Sequence, residues 1–170
     1  MHADLPTPDA DALQLSNTLA AHLRAEIELA GGAIPFSRFM ELCLYAPGYG
    51  YYSAGSTKFG AAGDFTTAPE MGRLYAATVA GVIGEALRQL GPQARVLELG
   101  GGSGLFAEVA LKRLLALDAL PDCYAILEPS ADLRERQREH LRRTLTPTVF
   151  ELVHWLDRPF EDEWDGVVFA

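Results

Sequence analysis

The sequence predicts a Rossmann-like α/β fold: a parallel sheet with helices on both faces, preceded by a helical N-terminal extension. Three observations predict it. Short apolar runs at 94–99 and 122–127 alternate with helix-length segments at 103–117 and 130–145, and strands joined through helices run parallel. The first of those runs feeds directly into a glycine-rich turn, Gly100, Gly101, Gly102 and Gly104, that opens a helix. Upstream, residues 11–30, 35–45 and 69–90 read as helices, not strands.

Taken in order, the first helix carries Leu13, Leu15, Leu19, Leu23, Ile27 and Ala30 on one broad stripe and stops at Gly31-Gly32. The second has Pro35 in its first turn and ends at Pro47-Gly48. From Tyr45 to Glu70 the chain is rich in glycine, tyrosine and hydroxyl residues and has no helix or strand period. A loop of that length in a compact domain is expected to bind something. Thr67 and Glu70 have capping-box spacing, and an apolar helix follows to Leu90, ended by Gly91-Pro92. After the two βα units, Thr148–Val153 is expected as a third strand and Asp165–Ala170 as the opening of a fourth. The apolar residues Val167–Ala170 have no turn or cap after them, so the sheet is expected to be incomplete. The expected organisation is an extension over 1–92 and the first half of the sheet domain over 93–170.

Composition narrows the partners. With 23 acidic and 14 basic residues the formal charge is −9, which repels nucleic acid. The one basic concentration, Arg134–Arg143, interleaves glutamates with its arginines and reads as a solvated helix face. Cys43 and Cys123 lack metal-ligand or disulfide spacing, and the four histidines are scattered. No apolar run approaches the roughly 18 residues that span a bilayer. Residues 1–11 show neither a secretory leader nor early arginines, so a cytoplasmic location is expected by default.

The chemistry lies in the run from Val96 to Ala107. Glycines let the backbone adopt positive φ and approach a ligand, and the helix start offers free N–H groups. Gly102-Ser103-Gly104-Leu105-Phe106-Ala107 matches the dinucleotide fingerprint as a string, which keeps an NAD-dependent oxidoreductase open as an alternative. Glu98, however, stands where a pyrophosphate would sit, and its carboxylate would repel phosphate. S-adenosylmethionine has no phosphate and carries an ammonium and a sulfonium, which an acidic site attracts. Glu128 follows Gly104 by 24 residues, near the spacing at which a carboxylate meets ribose hydroxyls. Its alternative role is simply to end a strand.

These segments together resemble the MidA-like methyltransferases, the family that includes a mitochondrial arginine methyltransferase assisting respiratory complex I assembly. The resemblance rests on Ile34–Met40, Tyr45–Tyr52, Gly63–Glu70 and Val96–Gly104. It implies a class I methyltransferase core with a helical extension, S-adenosylmethionine as cofactor, and a protein arginine as acceptor, on a respiratory-complex subunit or another protein. It further implies that Glu98, Gly100, Gly101, Gly102 and Gly104 hold the methionine end, Glu128 the ribose, and Trp155 and Leu156 the adenine. Trp155 reads somewhat more readily as ordinary core. Family members continue beyond the strand at Gly166–Ala170 into residues near the methyl-transfer site, so no catalytic base is assigned; Asp64 and Glu70 are the candidates, with capping as their alternative role. A non-catalytic cofactor-binding or interaction module is the other class of function considered.

Overall fold

The computed structural model describes residues 8–54 and 72–170, and the chain divides into two units, residues 1–55 and 56–170. In the first unit, α1 (Ala10–Leu29) starts at Asp9, whose carboxylate accepts the Ala12 N–H at 2.8 Å. It stops where Gly31 and Gly32 take φ of +84° and +104°. Helix α2 (Phe36–Tyr45) is tied to α1 by Arg38, which reaches Glu26 at 2.8 Å and Glu41 at 3.0 Å. The tyrosine-rich segment folds back on α2: the N–H groups of Tyr51 and Tyr52 donate to the Cys43 and Leu44 carbonyls at 2.9 and 2.8 Å. Gly50 permits that approach, since a Cβ there would lie 2.5 Å from the Ala46 nitrogen. Tyr45 and Tyr52 stack with centroids 5.6 Å apart, so these rings pack the turn.

The second unit is the α/β part. It comprises α3 (Arg73–Leu90), β1 (Arg95–Leu99), α4 (Leu105–Ala116), β2 (Cys123–Leu127), α5 (Ala131–Thr144), the short α6 (Pro147–Phe150), β3 (Val153–Leu156) and β4 (Gly166–Phe169). The four strands form one parallel sheet in the order β3-β2-β1-β4, as the alternating pattern predicts. Buried Val96, Tyr124 and Ile126 from the strands meet Phe106, Leu111 and Leu114 of α4 and Ile83 and Leu87 of α3. Phe106 also stacks on Phe169 of β4 at 4.0 Å. Helix α3, which the sequence reading groups with residues 1–92, packs against α4 within this unit through Gly84.

One expectation fails. Residues 148–153 are not a strand: Pro147 occupies the first turn of α6, and β3 begins only at Val153. Proline's fixed φ is pre-set for a helix start, and that local preference overrides the β-branched Thr148 and Val149. His154, Trp155 and Leu156 therefore lie within β3, not after it.

The strand order fixes where a ligand can bind. From β1 the chain moves outward to β2 and β3, then returns to β4 on the other side of β1. The loop after β1 thus leaves the carboxyl edge at the reversal of strand order, the point at which open α/β sheets bind ligands.

Candidate functional site

The loop after β1 is built around three glycines with positive φ: Gly100 at +72°, Gly102 at +53° and Gly104 at +81°. The Gly100 N–H donates to the Leu127 carbonyl at 2.9 Å and the Gly104 N–H to the Gly101 carbonyl at 2.8 Å, which ties the loop to the end of β2. Gly101 is needed for space: a Cβ would come within 2.9 Å of Ile126 Cγ2 and 3.2 Å of Gln137 Nε2. At Gly100 an added Cβ would meet no atom of the described residues within 4 Å.

Glu98 lies beneath this loop, 2% exposed, and accepts the Tyr124 hydroxyl at 2.8 Å. The register explains the pair: Glu98 and Val96 of β1 sit opposite Ile126 and Tyr124 of β2, so alternate residues bring both side chains to one face. Burial pushes the Glu98 carboxyl up to about 7, against the Tyr124 hydrogen bond and with help from the charge of Glu128. Burial likewise holds the Tyr124 phenol well above its ordinary value, reinforced by Glu98. From sequence, Glu98 reads as an attracting acidic group; burial in the structure opposes its charge and moves its titration toward neutrality.

Glu128, 4% exposed, follows β2. Its Oε1 accepts the Ser130 N–H at 3.1 Å and its Oε2 the Gln137 amide at 3.3 Å, and Gly102 contributes a backbone hydrogen bond. Burial raises its pKa, with these donors and the Arg134 charge working the other way. Ser130 also caps α5, its hydroxyl accepting the Leu133 N–H at 3.2 Å. Trp155 of β3 donates its indole N–H to Gln137 Oε1 at 2.9 Å, and the Arg138 guanidinium lies 4.7 Å over its ring. Leu156 is half-buried in register with Leu127. The structure therefore joins Gly102, Glu128 and Trp155 in one network, with Glu98 below it. Asp64 and Glu70, like Thr66 and Thr67, lie outside the described residues.

Sequence reading missed Gln137. It was folded into the basic stretch 134–143, yet Leu133, Gln137 and Leu141 recur at four-residue intervals and are all buried. A polar residue on the apolar stripe of a helix was the available signal. The same reading missed Arg134, half-buried, whose guanidinium donates to the Glu128 carbonyl and pairs with Asp157.

A third buried carboxylate lies one turn into α4. Glu108 accepts Lys112 at 2.7 Å, His140 Nε2 at 2.8 Å and Arg73 at 3.2 Å, linking α3, α4 and α5. Burial works to raise its pKa, but Lys112, Arg73 and His140 outweigh it and hold the carboxyl below its ordinary value. Its stabilisation is therefore complete above the ordinary carboxylate range and is lost as pH falls through the lowered folded value. Glu108→Gln is expected to cost about 1–2 kcal/mol at pH 7, and the difference should shrink in acid. Urea midpoints at pH 7 and pH 3 check this; a difference that persists unchanged at pH 3 would refute the ionic origin.

A glycine loop at the sheet reversal, with one carboxylate near the carboxyl end of β1 and another directly after β2, defines a nucleoside-cofactor domain of the α/β class. The chain belongs to the S-adenosyl-L-methionine-dependent methyltransferase family, whose pattern matches residues 78–170. It is similar to two mitochondrial proteins named protein arginine methyltransferase NDUFAF7 homolog. The Drosophila melanogaster protein is 34% identical over 111 residues, 64% of this chain and 25% of that one. The Caenorhabditis elegans protein is 26% identical over 161 residues, 92% of this chain and 36% of that one. A COG1565 superfamily protein from Burkholderia thailandensis, crystallised with S-adenosyl-homocysteine bound, superposes with a TM-score of 0.78 at 48% identity, covering 97% of this chain and 43% of that one. The chain thus spans less than half the length of each of these proteins. The comparisons overturn the cytoplasmic assignment, since both curated relatives are mitochondrial. That assignment rested on leader signals missing from residues 1–11, a default with no positive physical observation behind it. The matched family and both curated relatives are methyltransferases, which leaves the NAD-dependent alternative without support.

Proposed function

We propose that this chain binds S-adenosylmethionine in the loop after β1 and forms the cofactor half of an enzyme that methylates arginine side chains of proteins. The observation that carries the reading is the buried Glu128, hydrogen-bonded to Gly102 of the loop and facing the reversal point of the sheet. The residues present fit such a cofactor. A carboxylate offers about four acceptor sites; among the described residues Ser130, Gln137 and Gly102 take three, which leaves one for a ribose hydroxyl. The positive-φ backbone at Gly100 borders space that no atom of the described residues fills. Glu98 supplies negative charge from beneath the loop toward the methionine ammonium, and Trp155 and Leu156 border the adenine.

The bound cofactor supplies an electrophilic methyl group. The protein's part is to bind, orient and exclude water, because an in-line displacement gains chiefly from positioning. The loop glycines bring backbone N–H groups close to the methionine end, and Glu128 fixes the ribose. Orienting a guanidinium and accepting its proton calls for acidic side chains, for which Asp64 and Glu70 are the candidates in this chain, with capping as their other role. A subunit of a respiratory complex is the acceptor we assign, by likeness to the family.

Calorimetric titration of S-adenosylhomocysteine tests the cofactor reading, with NAD as the control ligand. Binding to the wild type and a tenfold to hundredfold loss in Glu128→Ala are expected, about 1–3 kcal/mol for lost charge-assisted hydrogen bonds. Binding of NAD in preference to S-adenosylhomocysteine would overturn the reading.

A further inference from the structure

We infer that Gln137 is the positioning residue of the cofactor site, a single side-chain amide that holds the glycine loop, Glu128 and Trp155 in one arrangement. This rests on the cofactor reading above and adds a residue from α5, outside the loop and strand ends that define the site.

Every polar atom of the Gln137 amide is committed, and the side chain is fully buried. Nε2 donates to the Gly102 carbonyl at 2.9 Å and to Glu128 Oε2 at 3.3 Å, while Oε1 accepts the Trp155 indole N–H at 2.9 Å. Only this orientation satisfies the surroundings. Rotated by 180°, the amide would set its oxygen against a carbonyl and a carboxylate and its N–H groups against an indole N–H. The partners also bond to each other, because Gly102 is a backbone donor to Glu128. Gly102, Glu128 and Gln137 thus close a ring of hydrogen bonds, and the φ of +53° at Gly102 is held from two sides.

The packing points the same way. A Cβ at Gly101 would press on Gln137 Nε2 at 3.2 Å, and one at Gly104 would meet the Gln137 Cα at 3.5 Å. The glycine at 101 therefore admits α5 against the loop, while at 104 a Cβ would make only ordinary contact and the φ of +81° calls for glycine. From helix α5, Gln137 reaches the loop between Leu133 and Leu141, which anchor the helix a turn to either side. Aligning the Glu128 carboxylate and the Gly102 carbonyl before a ligand arrives lowers the ordering cost of binding.

Two variants of the full chain test the inference by titration with S-adenosylhomocysteine. Gln137→Met keeps the volume and removes every hydrogen bond, and is expected to weaken binding by at least about tenfold. Gln137→Glu keeps the acceptor for Trp155 but turns a negative oxygen on Glu128 and the Gly102 carbonyl. Its loss relative to wild type is expected to be about a hundredfold at pH 8 and about tenfold or less at pH 5.5, where the new carboxyl can be protonated and donate. A merely structural glutamine would give Gln137→Glu the same loss at both pH values, and that result, or wild-type affinity in a folded Gln137→Met, overturns the inference. Should Gln137→Met fail to fold, the two-pH comparison within Gln137→Glu decides alone. Absence of binding by the wild type would overturn the cofactor reading itself, an outcome separate from any effect of position 137.

Discussion

Glu98→Gln is expected to make the folded chain about 3 kcal/mol more stable at pH 8 and to leave it nearly unchanged at pH 4.5. The sign follows from the direction of the shift. Burial lifts the Glu98 carboxyl from its ordinary 4.5 to about 7, so between those values the folded state holds a proton that the unfolded state has released. Stability then falls as pH rises through that window and levels off above the folded value, where the buried charge costs its full amount. Glutamine keeps an oxygen to accept the Tyr124 hydroxyl, now at 2.8 Å from Glu98 Oε2, and carries no charge. The part of the gain that is lost is set by how well the new amide N–H2 finds an acceptor. Urea midpoints of both proteins at pH 5, 6, 7 and 8 measure the effect, and a difference that stays flat from pH 5 to pH 7 would falsify it. The same variant should bind S-adenosylhomocysteine weakly at all pH values, whereas wild-type affinity should fall as pH drops through 7. A residue that costs stability where it is ionised and gains affinity there has the energetics of a functional group.

The fold was legible in the sequence wherever period and punctuation agreed. The runs at 94–99 and 122–127 became β1 and β2, and the glycines after the first became a loop with three positive φ angles. The reading failed at residues 148–153, where a β-branched run and a helix-starting proline gave opposite instructions over six residues. Four residues of helix are enough to displace a strand, and period alone cannot arbitrate at that length. At the candidate site, Glu98 and Glu128 stood out in the sequence because a carboxylate at a strand's carboxyl end is chemically conspicuous. Their surroundings were not. Tyr124 reads as a strand aromatic, and only the register of β1 on β2 puts its hydroxyl on Glu98. Gln137 lies 35 residues from Gly102, a separation at which sequence carries no information about contact except through the fold.

The site and its scaffold should respond separately, and Leu114→Ala shows how. Leu114 is fully buried in α4, and its truncation is expected to cost about 3 kcal/mol, from lost transfer energy and the cavity left behind. Gly84 of α3 faces it: a Cβ added there would lie 3.2 Å from Leu114 Cδ2 and 3.4 Å from Ala119 Cβ. Gly84→Ala alone should change stability little, because a helix-propensity gain near ~1 kcal/mol is offset by crowding against that methyl. In the double variant the crowding is gone and the new Cβ fills part of the cavity, so about 1 kcal/mol of the Leu114→Ala loss should return. Urea denaturation of the four proteins gives the coupling, and additivity within about 0.3 kcal/mol would show that α3 and α4 do not meet there. Binding of S-adenosylhomocysteine by folded Leu114→Ala should remain within about threefold of wild type. Ten residues of helix, about 15 Å, separate Leu114 from Gly104, and the hydrogen bonds that orient Gly102 and Glu128 come from Gln137 of α5 and from Ser130 at its N-cap. Stability would then be lost without affinity, the reverse of what Glu98→Gln is expected to do.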